Sequence, residues 1–312
     1  MQDGAVALAD VANCTINFTI NTCLKNNKQP LMQFGINTFL FSSPFTNASI
    51  SFLPKFKEWG FDSVEIALEN AGDIDPATIR KALDENGLTC HTVCAAMGPD
   101  FDMRGTKKQQ ADAHAYLRSL IDVMPALGAE FLVGPLYSSV GRADAVAPEY
   151  YRQQWKMVVE NLRDIADYAA SKNVKLAIEP LNRFETDFLN TVDQALRLIA
   201  DINHESVYLH YDTFHMNIEE KNQSDAILRA GKLLGHFHAC GCDRGTPGND
   251  HIDWQGIKSA LNQVGYTRGV VIESFTQDVK VIAKAAAIWR KIEPSQQNIA
   301  EDGVKFLKKL LS

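Results

Sequence analysis

From Gln33 onward, short apolar runs rich in β-branched residues alternate with longer stretches whose apolar positions recur at helical spacing. Eight runs fit strands: 33–39, 62–67, 88–94, 130–134, 174–178, 206–211, 234–238 and 269–273. Val174, Leu176, Ala177 and Ile178 are apolar almost without interruption, as expected of a strand covered on both faces. The clearest helix is 148–171, with Pro148 near its start and Trp155, Val158, Val159, Leu162, Ile165, Ala166 and Ala169 forming one stripe. Strand–helix alternation implies a parallel sheet, and eight such units predict an α/β fold, a (β/α)8 barrel forming one domain over 32–312. A doubly wound sheet would need fewer strands. Residues 1–31 read as an N-terminal extension in which only Thr15 to Thr22 alternates like a strand, through Ile16, Phe18 and Ile20.

Composition changes this picture little. The 312 residues are 46% hydrophobic and 22% charged, ordinary values for a globular chain, and no apolar run is long enough to span a membrane. A net charge of −7 argues against a nucleic-acid partner. Cys14, Cys23, Cys90, Cys94, Cys240 and Cys242 include no C-x-x-C pair and read as reduced thiols. The sequons at Asn13, Asn17 and Asn47 matter only in a secreted chain. The first 30 residues lack the pattern of a signal or transit peptide, so a cytoplasmic location is expected.

The chemistry collects where the later strands end. Glu179 closes the fifth run before Pro180, Asp212 the sixth, His238 the seventh and Glu273 the eighth. A barrel brings these ends round one mouth, where parallel α/β folds place their sites. Three carboxylates there repel one another unless a cation compensates them, so the set reads as a divalent metal site. Oxygen-rich ligation with one imidazole favours Mn²⁺, with Co²⁺ or Mg²⁺ as alternatives, and the lack of thiolate argues against structural zinc. Four protein ligands leave two octahedral positions for a chelating substrate. Glu185, His215 and Arg244 follow in the adjoining loops, with Arg244 supplying charge where an enediolate would develop. Each residue also has a structural reading. Glu179 could pair with Arg183, Asp212 could cap the next helix, His238 could be a core histidine, Glu273 could pair with a lysine, and Arg244 could form a solvated pair with Asp243. Cys240 and Cys242, beside His238, read as small residues lining the mouth.

Together, Glu179-Pro-Leu-Asn-Arg-Phe-Glu185, Asp212-Thr-Phe-His215-Met-Asn, His238 through Arg244 and Ile272-Glu273-Ser-Phe275 resemble the ketose 3-epimerases, which include D-tagatose and D-allulose (psicose) 3-epimerases. The likeness runs from about Phe34 to the C-terminus, including AIWRKIEPSQQNIAEDGVKFLKKLL. It implies a xylose-isomerase-like TIM barrel and one divalent ion held by Glu179, Asp212, His238 and Glu273. It also implies substrate contacts from Glu185, His215 and Arg244, and a homodimer or homotetramer acting on a small-molecule ketose. In the implied reaction, Glu179 and Glu273 exchange the C3 proton through a cis-enediolate. The match is looser at Asn37 to Phe41, Ala67 to Asn70, Ala95 to Gly98 and Gly134-Pro135, which form the substrate-end walls and set the sugar.

Other chemistries fit the same scaffold: an aldose–ketose isomerase of hydroxypyruvate-isomerase type, an inosose dehydratase, or a sugar-binding protein without turnover. A trinuclear abasic-site endonuclease needs more histidines at the mouth than the one strong candidate found, and a less acidic chain.

Overall fold

The computed structural model describes residues 32–144 and 146–312. The extension over 1–31, with its suggested strand, lies outside the described residues. Eight parallel strands close into a barrel in sequence order: β1 (Phe34–Asn37), β2 (Ser63–Leu68), β3 (Thr92–Ala95), β4 (Phe131–Gly134), β5 (Lys175–Ile178), β6 (Val207–Asp212), β7 (Leu234–Ala239) and β8 (Val270–Ile272). β8 pairs back onto β1, with Gly35 opposite Val271. All eight expected strands are present, and the Pro148–Ser171 helix buries the whole stripe from Trp155 to Ala169.

Two boundaries differ for local reasons. β1 stops at Asn37 because that side chain accepts the Phe39 N–H at 2.9 Å and starts a tight turn over Thr38–Leu40. The third strand begins at Thr92, because Leu88 folds back to donate its N–H to Leu83 at the end of the preceding helix. Thr89 then makes only an isolated bridge to Ser63.

Inward-facing positions alternate along each strand. Toward the strand starts the interior is apolar, with Phe131, Val133 and Ala177 packed together and Phe131 edge-on to Tyr208 at 5.4 Å. Toward the strand ends it turns polar. The register between β6 and β7 slips by one residue: Leu209 faces Leu234, but His210 faces His236 and Asp212 faces His238. Gly235 is the extra residue, and a Cβ there would lie 2.5 Å from Tyr208 Cβ. This bulge sets His210 against His236 and Asp212 against His238, three histidines and an aspartate near the mouth.

Above the mouth, the loops after β3, β4 and β5 are fastened by one buried cation. Arg104 donates to Ser138 Oγ at 2.9 Å and Gln154 Oε1 at 3.1 Å, and pairs with Asp187.

Candidate active site at the strand ends

Gly134 ends β4 with φ +119°, a conformation that favours glycine, and its carbonyl accepts the Glu179 N–H at 3.1 Å. Glu179 thereby emerges at the barrel mouth directly after β5. Asp212 ends β6 and caps the short Thr213–Glu219 helix, its Oδ1 accepting the Phe214 N–H at 2.6 Å. The capping role and the site role coexist, because Oδ2 points the other way. His238 lies within β7 and Glu273 directly after β8. One ligand atom from each of these four buried residues lies within 4.8 Å of the others. Beside them opens a cavity of about 560 Å³ whose lining includes Glu179, Glu185, His215, Arg244 and Glu273.

Arg244 sits between the carboxylates. Its Nη1 donates to Asp212 Oδ2 at 2.9 Å and Glu273 Oε2 at 3.0 Å, while its guanidinium lies over the rings of Phe214 and Phe275. The solvated pair with Asp243 does not form: Arg244 is buried with left-handed backbone (φ +68°), and Asp243 faces Arg290. Glu179 does not pair with Arg183, which binds Glu219 through both Nε and Nη2. Glu273 has Arg244 and Asn37 as partners, not a lysine. Cys94 lines the cavity, whereas the expected Cys240 and Cys242 do not; Cys240 is buried with its Sγ 3.6 Å from Ser274 Oγ. Cys90, Cys94, Cys240 and Cys242 are all free thiols.

The electrostatics fit a missing positive charge. Burial pushes the Glu179 carboxyl well above the usual carboxylate range, and the neighbouring charges of Glu273 and Asp212 push it further. Burial opposes the charge on Asp212 too, but Arg244 and His238 outweigh it and hold that carboxyl low. His238 is disfavoured as a cation by burial, yet Glu65 and Glu273 raise it well above a free imidazole. Among the described residues, Glu179 Oε1 and His238 Nδ1 are buried without a hydrogen-bond partner. Two orphaned donor atoms beside three carboxylates are what a divalent cation satisfies, so these residues fit one.

His215 is poised as a donor. The Asn182 backbone N–H donates to its Nδ1 at 3.0 Å, so the ring proton of the neutral imidazole sits on Nε2. Burial, then Arg244, keeps the ring neutral. Nε2 lies 2.8 Å from Arg244 Nη2, two donors facing one another, and an acceptor oxygen in the cavity would serve both.

The sequence reading missed the layer below. Glu65 of β2, and His210 and His236, each two positions before a named ligand, are buried in the barrel interior, and Asn37 of β1, expected in a substrate-end wall, is buried with them, bonded to Glu65 and Glu273. His210, His236 and His238 converge within 4.8 Å, so the single histidine counted from sequence is in fact three. The signal was present in His236-Phe-His238, where spacing by two puts both rings on one face of a strand.

Comparison with known proteins agrees with this geometry. The family described as xylose isomerase-like TIM barrel matches residues 53–310. A probable ketose 3-epimerase of Synechocystis is 35% identical over 89% of this chain and 96% of its own. A D-psicose 3-epimerase of Agrobacterium fabrum is 32% identical over 77% of this chain and 84% of its own. The crystal structure of a D-allulose 3-epimerase from Methylomonas superposes with a TM-score of 0.84 at 29% identity, covering 90% of this chain and 99% of that one. With the fold, the cluster and these relatives in agreement, the chain belongs to the ketose 3-epimerases, isomerase-class enzymes built on the xylose isomerase-like TIM barrel.

Proposed function

We propose that this chain epimerises free ketoses at C3, with Glu179 and Glu273 as paired acid–base groups beside a divalent cation held by Glu179, Asp212, His238 and Glu273. The observation that carries the reading is the meeting of two glutamates from β5 and β8, three strands apart in the ring, in one buried cluster at the cavity wall. Inversion requires proton removal on one face of the carbon and return on the other, and two separately mounted carboxyl groups supply that. A bound cation would neutralise the cluster and polarise the ketone, acidifying the neighbouring C3–H. The three-oxygen, one-nitrogen donor set favours Mn²⁺, with Co²⁺ and Mg²⁺ next.

One glutamate takes the C3 proton as the C–H pair moves toward the C2 oxygen, giving a cis-enediolate. The other returns a proton to the opposite face. Arg244 and the His215 Nε2–H hold the developing oxyanion and Glu185 orients a hydroxyl, a reading supported by the position of all three on the cavity wall. The substrate pairs that fit are D-fructose/D-allulose, D-tagatose/D-sorbose and L-ribulose/L-xylulose, consistent with relatives named for D-psicose and L-ribulose. The test incubates metal-stripped protein with D-fructose, D-tagatose and L-ribulose in D₂O, with and without Mn²⁺. Metal-dependent deuterium at C3 with epimer formation is expected. Exchange at C1 with an aldose product, or no exchange with any ketose, would sink the proposal.

A further inference from the structure

Beneath the candidate metal cluster, Glu65 is fully buried on β2, with no part in the reaction described above. Its Oε1 accepts from Asn37 Nδ2 at 2.8 Å and lies 2.6 Å from His238 Nε2, while Oε2 lies 2.7 Å from His236 Nε2. Asn37 also reaches Glu273 Oε1 at 3.3 Å. His210 closes the remaining side of His238, edge-on at 4.1 Å and 85°. The same His238 ring turns Nδ1 toward the cluster, 3.4 Å from Glu273 Oε2 and 3.8 Å from Asp212 Oδ2.

A carboxylate only accepts, so the contact with Glu65 keeps a proton on His238 Nε2. In the neutral ring Nδ1 is then the free lone pair, and it faces the cation site. Without Glu65 the ring could carry its proton on Nδ1 and present a donor where a ligand is needed. We infer that Glu65 is a positioning residue that fixes the tautomer and plane of His238 and, through Asn37, the carboxylate of Glu273. This rests on the reading of His238 as a cation ligand.

The role predicts a graded response in the full-length chain. Glu65→Met keeps the volume but removes both acceptors, and Mn²⁺ affinity read by electron paramagnetic resonance should fall roughly 10–100-fold, the usual loss when an outer partner of a metal-bound histidine is removed. Glu65→Gln should recover most of it, because the amide oxygen still accepts from His238 while its NH₂ donates to His236 in the other tautomer. In the wild-type chain loaded with Zn²⁺ as a diamagnetic probe, ¹H–¹⁵N correlation of the imidazoles should show His238 bound through Nδ1 with a slowly exchanging Nε2–H. That spectrum decides the matter even if Glu65→Met does not fold. His238 bound through Nε2 would overturn the inference. So would a folded Glu65→Met with wild-type Mn²⁺ affinity, even one of lowered melting temperature, since Glu65 would then serve packing alone. A wild-type chain that binds Mn²⁺ but epimerises no ketose removes the catalytic reading and leaves this comparison standing. A wild-type chain that binds neither ion overturns the cation site and the positioning role with it.

Discussion

Glu179 and Glu273 can be separated experimentally from Glu185 by what each one touches. Glu179 Oε1 has no hydrogen-bond partner among the described residues and Glu273 is shared between Arg244 and Asn37, whereas Glu185 Oε1 accepts from Asn182 Nδ2 at 2.8 Å, a bond that a glutamine oxygen retains. Glu179→Gln and Glu273→Gln should each lower kcat on the order of 10²–10⁴-fold, the range for losing a positioned acid–base group. Glu185→Gln should raise KM while kcat stays within severalfold; steady-state kinetics on the preferred ketose distinguish the two patterns. Near-normal turnover by Glu273→Gln would refute the two-base mechanism. Cys90 gives a residue-scale prediction for stability. Burial pushes its thiol from 9.0 up to about 12, so above pH 9 the unfolded chain loses a proton that the folded chain keeps. Stability present below pH 9 is therefore lost as pH rises from 9 toward 12, by about 1.4 kcal/mol per unit for this one group. Cys90→Ala should flatten the alkaline slope of urea unfolding relative to wild type. The four strand-end residues were legible because each polar group follows an apolar run. Glu65 and His210 were not, since they lie inside strands whose partners are set by barrel closure; His236 was readable only through its spacing to His238, and Asn37 only as part of a substrate-end wall.

At the scale of elements, the β6–β7 pair governs the geometry. The slipped register brings His210 opposite His236 and Asp212 opposite His238, and it depends on Gly235 passing where no Cβ fits, 2.5 Å from Tyr208 Cβ and 3.1 Å from Phe131 Cε1. Tyr208 Cβ cannot swing away as the tip of a long side chain can. Gly235→Ala should therefore cost about 1–3 kcal/mol, as overpacking of a filled interior does. It should also weaken Mn²⁺ binding, because the bulge places two of the four candidate ligands. Urea melts with a metal titration check both, and an alanine variant unchanged in both would mean the register tolerates the extra atom. The strands themselves were legible in number and order, since β-branched apolar runs recur eight times. The bulge was not, because a glycine before His236-Phe-His238 has the same appearance in a regular strand. The start of β3 was misplaced for a similar reason: Leu88 is apolar but belongs to the turn that closes the preceding helix.

For the whole molecule, the barrel holds Glu179, Asp212 and Glu273 together, with Arg244 and the imidazoles beside them. Closure that buries the Leu, Val and Ile faces of eight strands supplies the stability that keeps these carboxylates close, and the cluster works against part of it by repulsion and desolvation. A cation that binds the folded cluster and not the unfolded chain should return that loss by mass action. At a free concentration one hundred times its dissociation constant it adds about 2.7 kcal/mol. For a barrel of this size that corresponds to a rise in melting temperature of roughly 4–8 °C. Differential scanning calorimetry of chelator-treated protein, titrated with Mn²⁺, should show a melting temperature that climbs with metal and falls again on adding excess chelator. The same titration with Asp212→Asn should show a much smaller rise, because the amide lacks the charge that makes the cluster a cation site. A melting temperature indifferent to Mn²⁺ in the wild-type chain would mean that Arg244 alone neutralises the carboxylates, and the paired-glutamate chemistry would then lack the cation that acidifies its substrate.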